Sequence, residues 1–447
     1  EQKNKHYLFF ITNFKEGFRM KEIKEMNLDT QCVHGTYRAK AGEPQVIPLV
    51  QSTTFRYDTS EELAKLFDLQ SATPFYSRLG NPTVDALGDK LALLEGGSAG
   101  IATSSGMSAA FITVCNLCQA GDNIISASNI YGGTYNLFSV SLKRLGITVR
   151  FVDQDASEEE ILKHADENTK GIFAETLANP ALCVLDFDKF ARIAKKIGVP
   201  LIIDNTLATP ALCRPIEHGA DIVIHSTTKY ADGHATSVGG AVVEAGKFDW
   251  CASDKFPMLS KPDDSYHGLC FAEAFGSVAF VVRLRAVMLR DFGTTMSPMN
   301  AFLTNQGLQT LHVRMQRHSE NALALAKVLE KHDKVEWVNY PGLENNAYHE
   351  LAQKYLPNGS SGVLTFCVKG GREAGDKFLS ALNLTSLEIH VGEIRTAVLQ
   401  PATTTHRQLS DEQQLSAGIE PGLIRVTVGI ESIDDIIEDF TNALAQC

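Results

Sequence analysis

Several apolar runs in the 447-residue chain lead directly into residues that can do chemistry. Leu201-Ile202-Ile203 runs into Asp204-Asn205-Thr206, and Ile222-Val223-Ile224 into His225-Ser226-Thr227-Thr228-Lys229. Gly171-Ile172-Phe173-Ala174 runs into Glu175, with Asn179-Pro180 four residues on. Thr103-Ser104-Ser105-Gly106-Met107 precedes a helical stretch beginning near Ala109. A carboxylate, a lysine flanked by hydroxyls, an amide and a glycine-bearing anion loop are thus each placed where a strand gives way to a loop. In an open α/β sheet those strand ends share one rim, where ligands collect.

Each group has a distinct use there. A lysine on a Ser-x-Thr loop can form an imine with an aldehyde. An aspartate hydrogen-bonded to a pyridinium nitrogen keeps that ring protonated and makes it an electron sink. A Ser-Gly turn at a helix N-terminus offers backbone N–H groups to a phosphate, and Ser226 and Thr228 add hydroxyls. Tyr131, in Asn129-Ile130-Tyr131-Gly132-Gly133, is placed to stack on a ring. Lysine, aspartate and phosphate cradle together describe a pyridoxal-phosphate (PLP) site. Singly each is bland: a surface lysine, a helix cap, turn residues at Asp204 and Asn179-Pro180. Arg425 is different, because it lies inside the apolar run Leu423-Ile424-Arg425-Val426-Thr427-Val428. A charge there needs a partner, either a structural ion pair or a substrate carboxylate.

The elements that must position these residues follow from the hydrophobic pattern. Short apolar runs at 124–126, 148–152, 171–174, 200–203 and 221–224 alternate with helical stretches, of which 85–95 and 187–197 are the clearest. That alternation predicts an α/β fold with a mostly parallel sheet covered on both faces. Residues 1–82 read as an N-terminal extension and an extended arm, and 83–305 as the large cofactor-binding domain. Residues 306–447 read as a smaller C-terminal α+β domain, opening on a helix over 306–332 and closing on one over 433–445.

Composition narrows the function classes. With 53 acidic and 41 basic residues the net charge is −12, which argues against a general nucleic-acid binder. The apolar run Tyr7–Ile11 is too short to span a membrane, and the rest of the chain holds no longer one. Met20 or Met26 reads as the natural start, after an extension. Nine scattered cysteines read as reduced thiols of a cytoplasmic protein. Cys115 and Cys118 fall in an apolar helical stretch without a second metal-ligand pair. No dinucleotide glycine fingerprint comes after a strand, and Gly370–Gly375 continues with Asp376 where a P-loop needs lysine. No metal site is expected.

Tyr76-Ser77-Arg78-Leu79-Gly80-Asn81-Pro82-Thr83, Ser105-Gly106-Met107, Tyr131-Gly132-Gly133-Thr134, Glu175-x-x-x-Asn179-Pro180, Asp204-Asn205-Thr206 and Ser226-Thr227-Thr228-Lys229-Tyr230 occur in this order. The set resembles the Cys/Met-metabolism family of fold-type I PLP-dependent enzymes, from about residue 28 onward. The resemblance implies a seven-stranded sheet and PLP held as a Schiff base on Lys229. It gives catalytic roles to Lys229, Tyr131 and Asp204. Tyr76, Arg78, Ser105, Gly106, Met107, Tyr131, Asp204, Ser226, Thr228 and Lys229 become cofactor contacts, with Arg425 and Asn179 at the substrate carboxylate. It further implies a homotetramer of active dimers, with Tyr76 and Arg78 reaching a neighbouring subunit's phosphate. Asp232–Gly240, Lys261–Gly268, Asn339–Leu343 and Gln400–Leu409 point within the family to γ-replacement on O-acetylhomoserine by sulfide or a small thiol. Homocysteine, or methionine, and acetate are the implied products. A γ-lyase or cystathionine γ-synthase on the same scaffold, and a non-catalytic PLP- or nucleotide-binding protein, are the alternatives. Met107, where glutamine is frequent, and Gln400, where histidine is usual, depart from the pattern.

Overall fold

The structure, a computed structural model, describes residues 22–447 apart from 406, 409 and 417. The Tyr7–Ile11 run, Met20 and the motif residues His406 and Leu409 lie outside the described residues. The arm expected up to residue 82 is mostly irregular, with short helices Leu28–His34 and Ser60–Phe67 and a bridge between Thr54 and Tyr76.

Seven strands form the large sheet: β1 (Ala99–Thr103), β2 (Asn123–Ala127), β3 (Thr148–Val152), β4 (Thr169–Glu175), β5 (Leu201–Asp204), β6 (Ile222–His225) and β7 (Gly240–Glu244). They lie in the order β1-β7-β6-β5-β4-β2-β3. All neighbours are parallel except β7, which runs against both β6 and β1. Every residue of β2 and β4 is buried, as a sheet covered on both faces requires. Helices Pro82–Glu95 and Gly106–Leu117 pack on the β1, β7 and β6 side, and Phe187–Ile197 on β4 and β5. Helix Pro82–Glu95 starts where Asn81 caps the N–H of Thr83 with Pro82 in the first turn, and stops at left-handed Gly96.

The pattern of apolar runs finds β2 to β6 and passes over β1 and β7, whose glycines interrupt it. Those glycines serve packing. A Cβ on Gly100 would lie 2.3 Å from the Gly88 carbonyl oxygen, so this helix and strand touch backbone to backbone.

The second sheet has the order β10-β11-β12-β9-β8: β8 (Val335–Asn339), β9 (Val363–Val368), β10 (Ser386–Leu387), β11 (Ala397–Leu399) and β12 (Leu423–Thr427). Its core includes the rings of Phe366, Phe378 and Phe440 and the closing helix Ile433–Leu444. The helix expected over 306–332 is two helices, Pro298–Gln309 and Leu311–Leu329. They part at Thr310 because Arg314 takes the Gly307 carbonyl at 2.7 Å. Gly307 in turn sits so close to the Asp232 carbonyl that a Cβ would lie 2.1 Å from it. Helix Pro298–Gln309 runs across the expected limit at 305/306, and the core changes within the next helix. Leu311 and Met315 belong to the first core, Ala322 and Leu325 to the second.

All nine cysteines are free thiols, and Cys118 caps the end of helix Gly106–Leu117. Burial raises the Cys115 thiol to about 11. Among the described residues no helix is long and apolar enough to cross a membrane.

Candidate active site

Asp204 ends β5 and is flanked by its own turn. One carboxylate oxygen accepts the Thr206 backbone N–H at 2.9 Å and the Thr206 hydroxyl at 2.5 Å. That hydroxyl accepts the backbone N–H of Ser226 at 2.8 Å, joining the ends of β5 and β6. Glu175 lies beside Asp204 in the register of β4 and β5. Burial drives both carboxyls up from the ordinary range. For Glu175 the neighbouring Asp204 adds to the rise. For Asp204 the Thr206 hydroxyl, the Thr206 N–H and then the His225 charge oppose it. Asp204 is therefore the member of the pair fitted to carry negative charge.

Lys229 lies four residues beyond His225, the last residue of β6. Burial and then the Arg425 charge lower its amine to about 8, within reach of a neutral, nucleophilic state. The Thr228 hydroxyl is engaged with Gly239, donating to its carbonyl at 3.1 Å and accepting its N–H at 3.0 Å. The Thr227 hydroxyl is buried without a partner.

Helix Gly106–Leu117 points its first turn at this loop. Ser105 caps it by accepting the Ser108 N–H at 3.0 Å, while the N–H groups of Gly106 and Met107, in the first turn, have no intrahelical acceptor. A Cβ on Gly106 would lie 2.6 Å from the Ser226 Cβ, and one on Gly240 2.1 Å from the Ser105 carbonyl oxygen. Only glycine permits that approach, which brings helix N-terminus and Ser226 to a common anion site. With the buried Lys229 and an aspartate at the neighbouring strand end, the donor set and the glycine-lined cradle fit PLP. The Met107 sulfur sits 4.0 Å from the Thr134 hydroxyl.

Tyr131 lies just beyond β2, with its ring half exposed and folded back over Gly133. Its backbone N–H is held by Glu175 at 2.7 Å. Asn179 lies just beyond β4 beside a cis bond to Pro180, and its side-chain oxygen is buried without a partner. The small sheet reaches this loop, where Asn339 donates to the Ala181 carbonyl at 2.8 Å. Arg425 lies on β12, and burial lowers its guanidinium to about 10. It donates to the carbonyls of Ile389 at 3.0 Å and His390 at 3.4 Å, and no carboxylate pairs with it among the described residues. The structural ion pair left open for Arg425 thus has no partner acid.

The fold therefore gathers Asp204, Lys229, Ser105, Gly106, Met107, Ser226 and Thr228 on one rim, with Tyr131 and Asn179 on loops joined by Glu175 and Arg425 near Lys229. The Arg78 guanidinium is 5.4 Å over the Tyr76 ring and donates to the Arg290 carbonyl. The sequence names Thr206 within a motif without giving it a role, and Glu95 only as the end of a helix. Asp-x-Thr is a side-chain-to-backbone turn signal for the first. For the second the signal is an acidic residue at a helix C-terminus, against the dipole. Gln400 gains an account: buried, it donates to the Pro421 carbonyl at 2.9 Å and accepts the Thr403 hydroxyl at 3.1 Å, tying together the turns around β12.

The sequence profile of the "Cys/Met metabolism PLP-dependent enzyme" family matches residues 29–445. A homocysteine synthase of Schizosaccharomyces pombe is 49% identical over 425 residues, covering 94% of this chain and 99% of that protein. An O-acetyl-L-homoserine sulfhydrylase of Leptospira meyeri is 45% identical over 409 residues, covering 90% and 92%. A crystal structure described as an O-acetylhomoserine (thiol)-lyase of Campylobacter jejuni superposes with a TM-score of 0.89 at 39% identity, covering 94% of this chain and 100% of that one. That crystal structure contains N'-pyridoxyl-lysine-5'-monophosphate. A rim fitted to this cofactor and a family match over nearly the whole length agree, and the chain belongs to the Cys/Met metabolism family of PLP-dependent enzymes.

Proposed function

We propose that the chain replaces the acetate of O-acetyl-L-homoserine with sulfide or a small thiol, giving homocysteine or methionine and acetate. The observation that carries this reading is the 49% identity to a homocysteine synthase over 99% of that protein's length. When bound, PLP withdraws electrons from the substrate's α- and β-carbons and so lets acetate leave the γ-carbon.

The residues divide the remaining work. Lys229 holds the cofactor and then moves protons at the α- and β-carbons, a task suited to an amine brought to about 8. Asp204 hydrogen-bonds the ring nitrogen and keeps it protonated. The N–H groups of Gly106 and Met107, with Ser105 and Ser226, hold the phosphate, and Thr228 joins them by turning its hydroxyl proton from the Gly239 carbonyl. Tyr131 stacks on the ring and serves as acid/base near the γ-carbon. Arg425 offers two N–H donors to the α-carboxylate, and Asn179 presents its amide there. Support for Arg425 in that role is the absence of an acid beside it among the described residues. Acetate leaves as an anion and hydrosulfide supplies the new C–S bond, so charge and atoms balance.

Tyr76 and Arg78 complete a neighbouring subunit's phosphate site, within a homotetramer of active dimers in the cytoplasm. The half-exposed Tyr76 ring supports the crossing. The chain divides functionally into arm, cofactor domain and small domain near residues 82 and 305, with Arg425 and Asn339 as the small domain's contributions.

The PLP-loaded protein supplied with O-acetylhomoserine and sulfide tests the reading. Equal amounts of homocysteine and acetate are expected. Acetate release without a thiol product would replace the reading with hydrolysis or elimination.

A further inference from the structure

Glu95 ends the helix Pro82–Glu95 and is fully buried. A carboxylate at the negative end of a helix and out of water is unfavourable on both counts. Its Oε1 accepts from two side chains, His225 Nε2 at 2.6 Å and Asn205 Nδ2 at 2.8 Å. Its other oxygen is buried without a partner.

Both donors sit at the rim. His225 is the last residue of β6 and immediately precedes Ser226. Asn205 comes immediately after Asp204, and it also donates to the Cys213 carbonyl at 2.9 Å and accepts the Thr176 hydroxyl at 2.8 Å. Asn205, His225 and Glu95 are all shielded from solvent. One carboxylate oxygen therefore grips the ends of β5 and β6 from beneath. A buried carboxylate with a bare oxygen keeps its charge only with a cation beside it. The His225 imidazole, 2.6 Å away, is placed to be that cation when doubly protonated, and its positive charge would favour the ionised form of Asp204.

We propose that Glu95 and His225 form a buried ion pair that serves Asp204 as a positioning and charge-setting unit. Glu95 holds His225 in its doubly protonated form, and His225 keeps Asp204 the anion that faces the ring nitrogen of PLP. This rests on the assignment of Asp204 as the ring partner. Both residues act through Asp204 and touch neither substrate nor cofactor.

Solid-state 15N spectra of the holoenzyme, loaded with cofactor labelled at the ring nitrogen, test the pair. Glu95→Gln keeps the size and one oxygen acceptor but removes the charge. The ring signal should move from the protonated towards the unprotonated position. The chemical step should slow about tenfold with KM changed much less, since transition-state charge and not ground-state binding is affected. A ring signal identical to wild type, with only a lower melting temperature, would reduce Glu95 to a structural strut and overturn the proposal. Histidine-labelled wild-type enzyme gives a second readout that needs no variant to fold. Both ring nitrogens of His225 should carry protons, and one bare nitrogen would overturn the ion pair. Asp204→Asn separates the two levels of the argument. If it leaves the ring signal unmoved, the Asp204 assignment fails and takes the proposal with it. If it moves the signal while Glu95→Gln does not, only the ion pair fails.

Discussion

Glu175 accepts the backbone N–H of Tyr131 at 2.7 Å, so a buried carboxyl at the end of β4 fixes the loop beyond β2. Burial and then the Asp204 charge raise that carboxyl well above the ordinary range, which favours its neutral form. A neutral isostere should therefore serve. Glu175→Gln is expected to keep turnover within about threefold of wild type, since it retains an acceptor for the N–H. Glu175→Ala should cost on the order of 1–3 kcal/mol in stability by stranding that donor, and should weaken cofactor retention. Melting curves and turnover of the two variants side by side decide it. A loss of activity in Glu175→Gln as large as in Glu175→Ala would mean that the ionised carboxylate is what the site needs.

The Lys229 amine carries a pH signature. Its ordinary value is 10.5 and the folded protein lowers it to about 8, so between these values the unfolded chain binds more protons. Stability attributable to this group therefore rises with pH across that window and is lowest below it. In cofactor-free protein, Lys229→Met should stabilise the fold below about pH 8 by on the order of 1–3 kcal/mol, read as a higher melting temperature, and the advantage should fade towards pH 10.5. A constant difference across that range would show that the amine is not depressed by burial. The same variant should have no measurable turnover with cofactor present.

Much of this site was legible because strand ends and the residues after them are adjacent in sequence. Asp204 and Lys229 each sit within a few residues of the end of an apolar run, and helix Gly106–Leu117 is marked by its Ser-Gly start. Strands β1 and β7 were hidden because close backbone packing at Gly100 and Gly240 replaces the branched residues that mark a strand. The break at Thr310 was hidden because it depends on Arg314 and Asp232, which no local pattern joins to Gly307. Glu95 was illegible for the same reason. Its partners, Asn205 and His225, are 110 and 130 residues away.

Arg425 donates to backbone carbonyls rather than to an acid, which sets its expected behaviour. Arg425→Lys keeps the charge and loses the planar fork, so amino-acid affinity should fall by about tenfold or more while the melting temperature barely moves. Spectral titration of the holoenzyme with an amino-acid substrate, run beside a thermal melt, reads both. A large drop in melting temperature with unchanged titration would move Arg425 out of the substrate site.

Within its own chain Arg78 bonds to the Arg290 carbonyl, and the phosphate proposed for it belongs to a neighbour. Arg78→Ala should lose cofactor on dilution or gel filtration. Mixing it with Lys229→Ala under conditions that exchange subunits should restore about a quarter of wild-type activity, because half of the dimers are hybrid and each hybrid has one intact site. No recovery in a mixture shown to contain hybrids would place Arg78 in its own subunit's site.

In the proposed reaction sulfide replaces acetate at the γ-carbon and the amino acid survives. The most direct measurement is the partition of products when the holoenzyme consumes O-acetylhomoserine with sulfide in excess. Homocysteine should account for nearly all the acetate released, with 2-oxobutyrate and ammonia at background. Acetate matched by 2-oxobutyrate and ammonia, with little homocysteine, would make the enzyme a γ-lyase and contradict the account.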